Sequence, residues 1–197
     1  MIKALKSTAF AVLTILTTSF AFNASADSLD FTEITQDSNL VSPVELSNAT
    51  IASSSGTLYF FSSGYSTNGL GSICGNLSGR CEADIDINFK STIENLSFEI
   101  SGYDPGDSVT AMGYLNGNLV NSLTLSNETS LDISSWGLLD RLFLAYEGTI
   151  PGQLGYGYVY SDFEFTSISV VPLPAALPLF GAALLGLGFI SRRKRQL

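Results

Sequence analysis

The chain has 197 residues and a net charge of −9; 45% of it is hydrophobic and 14% charged, with 18 Gly, two Cys and no His. That length fits one ordinary domain with short appendages, and low charge combined with abundant glycine excludes a coiled coil and a nucleic-acid binder. Without imidazole, Ser-His-Asp and Cys-His nucleophiles and His-ligated zinc or haem are also excluded, which leaves binding, scaffolding or carboxylate chemistry.

Residues 1–26 carry Lys3 and Lys6, an apolar run centred on Ala9 to Leu16, and Ala24-Ser25-Ala26 directly before the first acid, Asp27. A basic head, a short apolar stretch and a small-x-small exit describe a secretory signal peptide cut after Ala26, which implies the Sec translocon and signal peptidase as partners. An uncleaved anchor fits less well, because Thr14, Thr17, Thr18 and Ser19 interrupt the run and leave it short for a bilayer span.

Residues 27–166 form the body. All 18 carboxylates lie between Asp27 and Glu164, set against Arg80, Lys90 and Arg141 alone, a net −15. Such a body repels nucleic acid and anionic lipid and attracts cations. Period-two alternation recurs along it: Ala83, Ile85, Ile87 and Phe89 alternate with Asp84, Asp86 and Asn88, and Leu96, Phe98 and Ile100 alternate with Ser97, Glu99 and Ser101. Each run predicts a strand with one wet face. Asn116-Gly117, between Ser108 to Leu115 and Asn118 to Leu125, is a two-residue hairpin signal. Further strands are expected over Leu29–Ile34, Val44–Ile51, Thr57–Phe61, Arg141–Tyr146 and Tyr156–Phe165. Roughly nine short strands with turn-rich connections predict an all-β fold, an antiparallel β-sandwich of jelly-roll-like or immunoglobulin-like kind, with the jelly roll preferred.

Ser62 to Cys81 reads as a 20-residue loop holding five glycines and both cysteines, and a loop of that length inside a compact domain points to function. Cys74 and Cys81 enclose eight residues; in an exported protein they predict a disulfide, whereas a redox or metal pair would need closer spacing and further ligands.

Tyr156, Tyr158 and Tyr160 alternate with Gly155, Gly157 and Val159. On a strand they would project from one face about 7 Å apart and present a row on which sugar rings stack, or else pack beneath the sandwich edge. Asp84 and Asp86 share a face, and Asp30 and Asp162 lie near the two ends of the body; either pair is a candidate for a structural Ca²⁺ completed by loop carbonyls, or simply a solvated acidic surface. No other cofactor is implied. Paired carboxylates also satisfy the minimal requirement of a glycosidase, but none lies in an obviously apolar setting that would raise its pKa for acid catalysis.

The chain closes with a linker and motif over 167–175 containing Val171-Pro172-Leu173-Pro174-Ala175, an uncharged apolar stretch over 174–190, and a basic tail over 191–197 with Arg192, Arg193, Lys194 and Arg195. As a helix the apolar stretch is about 25 Å long, near the lower limit for a bilayer core about 30 Å thick. The four cations are expected to stay cytoplasmic, which leaves the acidic body on the far side of the membrane.

In this order, a short proline motif, a short span and a terminal arginine cluster resemble the PEP-CTERM bacterial sorting signal. Residues 171–175 spell its VPLPA variant, with Leu173 where the commoner form has Glu. The resemblance covers about residues 171–195. It implies export, transient anchoring in the inner membrane, recognition by an exosortase that cuts near the proline motif, and release to the cell surface or extracellular matrix of a bacterium making exopolysaccharide. The strand order of the body resembles galactose-binding-like and carbohydrate-binding sandwiches. The expectation is thus a non-catalytic exported surface or matrix protein associated with exopolysaccharide or biofilm. Two alternatives stay open: a glycan-binding module acting through the tyrosine row, and a secreted carbohydrate-active enzyme.

Overall fold

The computed structural model describes residues 22–62, 65–77, 79–102, 106–127, 129–148 and 157–170. The predicted signal peptide up to residue 21 and the segment 171–197, with its sorting motif, apolar span and basic tail, lie outside them. Among the described residues no helix is long and apolar enough to cross a membrane.

Thirteen strands follow in chain order: β1 (Phe22–Ser28), β2 (Ser38–Val41), β3 (Val44–Glu45), β4 (Ala49–Ser53), β5 (Thr57–Phe61), β6 (Ser72–Leu77), β7 (Arg80–Ala83), β8 (Ile85–Ser101), β9 (Asp107–Leu115), β10 (Asn118–Leu125), β11 (Thr129–Asp132), β12 (Leu139–Gly148) and β13 (Val159–Val170). The ladders β10–β9, β11–β8, β12–β8, β12–β9, β13–β6, β13–β8, β2–β5, β3–β4, β4–β8, β5–β6 and β6–β7 are antiparallel. The result is the β-sandwich that the alternating pattern predicts.

The two runs of alternation predicted as separate strands are one 17-residue strand, β8. Its first half pairs with β4 and β12, and its second half with β11 and β13. One layer therefore runs β4-β8-β12-β9-β10, with β3 on β4; the other runs β11-β8-β13-β6-β5-β2, with β7 on β6 and β1 on β13. The passage from one set of partners to the other occurs near Asn95, where the backbone is left-handed at φ 56° and the pairing with β13 slips. Asparagine tolerates that conformation better than most residues, and a bulge there bends the strand.

One continuous core joins the layers. Phe98 stacks on Phe163 with centroids 5.1 Å apart, and Phe89 meets Phe165 edge-on at 5.1 Å. Offset and edge-to-face pairs of this kind add to the burial of the rings themselves.

The expected strand over Leu29–Ile34 is instead a short 3₁₀ turn, Phe31–Glu33. Asp30 explains the change: its carboxylate accepts from the Thr32 amide at 2.8 Å and the Thr32 hydroxyl at 2.6 Å, a local turn that competes with extended pairing. The turn drops Phe31 fully into the core against Phe60 and Phe163. The expected boundary after Ala26 falls within β1. Asp27 is nevertheless tied into the fold, accepting from Asn48 Nδ2 and Ser167 Oγ at 3.1 Å each.

Candidate functional site

The stretch predicted as a long loop contains a hairpin. β6 pairs with β5 on one side and with β7 on the other, so only residues 62–71 connect β5 to β6. Glycine hid these strands. At Gly75 a Cβ would strike the carbonyl of Ala83 on the paired strand; the close backbone approach requires glycine although the residue sits mid-strand. Across this hairpin Cys74 and Cys81 form the predicted disulfide, with Cα atoms 5.2 Å apart. Both cysteines are buried and pack with Val159 in a small second cluster, against which Tyr59 and Phe61 lean.

The tyrosine row does not form an exposed platform. Tyr158 and Tyr160 are 0% and 1% exposed and belong to the main core, while Tyr156 lies outside the described residues. The physical reason is parity: Tyr160 on β13 and Tyr158 just before it point to the main core, while Val159 between them packs with the disulfide on the opposite side. Tyr158 donates from its hydroxyl to the Asp107 carbonyl at 3.1 Å, and burial pushes the Tyr160 hydroxyl well above its ordinary pKa.

The four candidate calcium ligands are likewise engaged separately. Asp86 takes both Nε and Nη2 of Arg141, at 2.7 and 2.9 Å; Asp84 accepts the Tyr146 amide at 2.9 Å; Asp30 caps the 3₁₀ turn. Asp162 stands at a β-bulge with φ 52° and accepts from Ser66 Oγ, Thr67 N, Thr67 Oγ1 and Asn68 N at 2.8, 2.8, 2.6 and 3.3 Å. Among the described residues no group of three or more acidic or sulfur side chains is placed to hold a metal ion.

Asp162 has a different task, which is to hold the 66–68 turn onto β13. Its neighbour Ser161, fully buried, donates to the Tyr65 carbonyl at 2.7 Å. Together they fix the segment that carries the Tyr65 ring.

That ring forms part of a groove of about 310 Å³ on the outer face of the second layer. Three aromatic rings run along it in contact: Tyr59 to Phe61 at 4.6 Å between centroids, and Phe61 to Tyr65 at 5.2 Å. Tyr59 and Phe61 face outward because they alternate with Leu58 and Phe60, both fully buried. The disulfide and Val159 also line the groove, as do the polar side chains of Asn39, Asn76 and Arg80. Asn39 and Cys74 flank Tyr59 on the neighbouring strands. The Asn76 amide donates to the Asn39 side-chain oxygen, and Asn76 Oδ1 accepts the Gly79 amide at 2.8 Å, so these rim groups are held in place. Chemically the groove offers apolar ring faces, amides and one guanidinium on a covalently stapled base.

No protein family matches the chain, and no curated protein does. Among solved structures, a carbohydrate-binding module, GH31 CBM32-2 bound to GalNAc, is similar at 13% identity and a TM-score of 0.28, over 74% of this chain and 97% of that one.

Sequence reasoning placed Thr57–Phe61 correctly as a strand but passed over its outward aromatics. The signal was available: Leu58-Tyr59-Phe60-Phe61 is apolar on both parities, and a strand whose second face is also apolar needs a cover or a ligand.

Proposed function

We propose that the chain is a non-catalytic bacterial surface or matrix component, exported through a signal peptide ending at residue 26, sorted by an exosortase acting on the tail 171–195, and associated with exopolysaccharide once outside. In this reading the body is a sandwich of the jelly-roll-like kind, held transiently on the periplasmic side of the inner membrane before release. The observation that carries the proposal is the Cys74–Cys81 disulfide, a bond that persists in oxidising compartments and is rare in the cytosol. The acid excess of the body, against basic ends, supports the same orientation.

Support for the non-catalytic part comes from the carboxylates. Glu99 is pushed above its ordinary range by burial first and then by the neighbouring Asp162 charge. Its partner Asp162 is committed to the Ser66, Thr67 and Asn68 donors, so this pair is not arranged as the acid and base of a glycosidase.

The test is fractionation of the full chain, carrying an epitope within the β9–β10 turn, in an exosortase-bearing host and in its exosortase-deleted derivative. The expected result is a shortened, disulfide-bonded form at the surface or in the medium of the first, and retention in the inner membrane of the second. A full-length cytosolic product with free thiols in both hosts overturns the proposal.

A further inference from the structure

The groove combines ring faces and amides with a cation whose setting departs from that of the other two in the body. Arg141 is bonded twice by Asp86, at 2.7 and 2.9 Å, and lies over the Tyr114 ring at 4.9 Å. Lys90 is paired with Glu45 at 3.2 Å and donates to the Leu46 carbonyl. Among the described residues Arg80 makes one side-chain ion pair, to Glu82 at 3.5 Å, and its side chain is 38% exposed where it lines the groove. A guanidinium carries five donors in a planar fork that matches a carboxylate two at a time. In a body holding 18 acids, a guanidinium so sparingly used beside an aromatic wall is positioned for an anion from outside.

We infer that this groove binds a hexuronate unit of a polysaccharide: a pyranose ring whose C–H face stacks on the Tyr59, Phe61 and Tyr65 wall, whose hydroxyls meet the Asn39 and Asn76 amides, and whose carboxylate takes Arg80. The volume, about 310 Å³, lies at the small end of ligand sites and suits a sugar unit rather than a large cofactor. The net charge of −15 between Asp27 and Glu164 disfavours di- and triphosphates, whose several charges meet the repulsion in full, whereas a single carboxylate next to Arg80 meets the least. A neutral sugar would use the rings and add nothing to the guanidinium beyond its 3.5 Å contact with Glu82. The disulfide holds the base of the groove, so little ordering is required when ligand enters.

The inference rests on the proposed association with exopolysaccharide only for the source of its ligand; the binding itself is tested without it. The full chain, purified with its disulfide intact, is titrated calorimetrically with trigalacturonate and with the matched neutral trigalactoside. The expected result is tighter binding of the acidic trimer, weakened by added salt. Arg80→Gln lowers affinity for the acidic trimer about tenfold and leaves the neutral one unchanged, and Tyr65→Ala lowers both about tenfold. Both side chains are well exposed, at 38% and 40%, so the variants keep the parent melting temperature, which is checked first. Absence of binding to trigalacturonate, equal binding of the two trimers with no effect of Arg80→Gln, or indifference to Tyr65→Ala each overturns the inference. Failure of the sorting experiment with these titrations intact would remove the export reading and leave the site.

Discussion

Asp162 and Glu99 show how two carboxylates in contact take opposite roles. At Asp162 burial works against the charge, but the donors of Thr67, Ser66 and Asn68 outweigh it and hold the pKa below the ordinary value of 3.8. At Glu99 burial and the Asp162 charge both act upward from 4.5. The signs follow from linkage. The Asp162 contribution is present above about pH 4 and is lost as pH falls through its lowered folded value. The Glu99 contribution is complete below its unfolded pKa and is lost as pH rises through the raised folded value, so at neutral pH the ionised Glu99 is a net cost. Glu99→Gln is therefore expected to stabilise the fold by about 0.5 kcal/mol at pH 7, the scale of a solvent-screened pair, with no gain near pH 3.5. Urea denaturation at the two pH values checks this; an equal gain at both would refute the coupling.

Between elements, the β6–β7 hairpin depends on its covalent link and the β9–β10 hairpin on its turn. Asn116-Gly117 was readable because both residues accept positive φ, and they adopt 52° and 77°, the twist-matched connection for two antiparallel strands. The β6–β7 pair was not readable. Gly75, Asn76 and Gly79 break every propensity pattern, and the reason for glycine at 75, the approach of the Ala83 carbonyl, exists only once the two strands meet. Because an eight-residue closed loop is worth about 2.5 kcal/mol in the chain-entropy account, reduction with dithiothreitol is expected to lower unfolding stability by about that amount. It is also expected to quench order in the neighbouring Tyr59 and Phe61 rings, seen as loss of near-ultraviolet circular dichroism. Unchanged stability on reduction would show that the hairpin stands on packing alone.

At the scale of the molecule, self-repulsion is the dominant long-range term. Three ion pairs are present among the described residues, Arg141–Asp86, Lys90–Glu45 and Arg80–Glu82, against 18 carboxylates in the whole chain. Salt shortens the screening length from about 30 Å at 0.01 M to about 10 Å at 0.1 M, which relieves repulsion across the body more than it weakens pairs at contact. The melting temperature is therefore expected to rise by about 2–5 °C between 10 and 300 mM NaCl; a fall, measured by scanning calorimetry, would mean that the ion pairs outweigh the net charge.

The sequence by itself determined the class and the faces. Strict alternation put Ile85, Ile87, Phe89, Leu96, Phe98 and Ile100 in the core, where all are buried, because a pleated strand sends successive side chains to opposite sides whatever its partners are. It also determined the cysteine pairing, since the chain has only two cysteines. Tertiary structure alone decided which apolar face is interior. Tyr160 on β13 with Tyr158 just before it, and Tyr59 and Phe61 on β5, carry similar local signals. Yet Tyr158 and Tyr160 turn into the main core while Tyr59 and Phe61 turn to the other side, partly buried against the disulfide and Val159, and that difference arises from which face of the paired strands meets the other layer, a long-range property that no window of sequence contains.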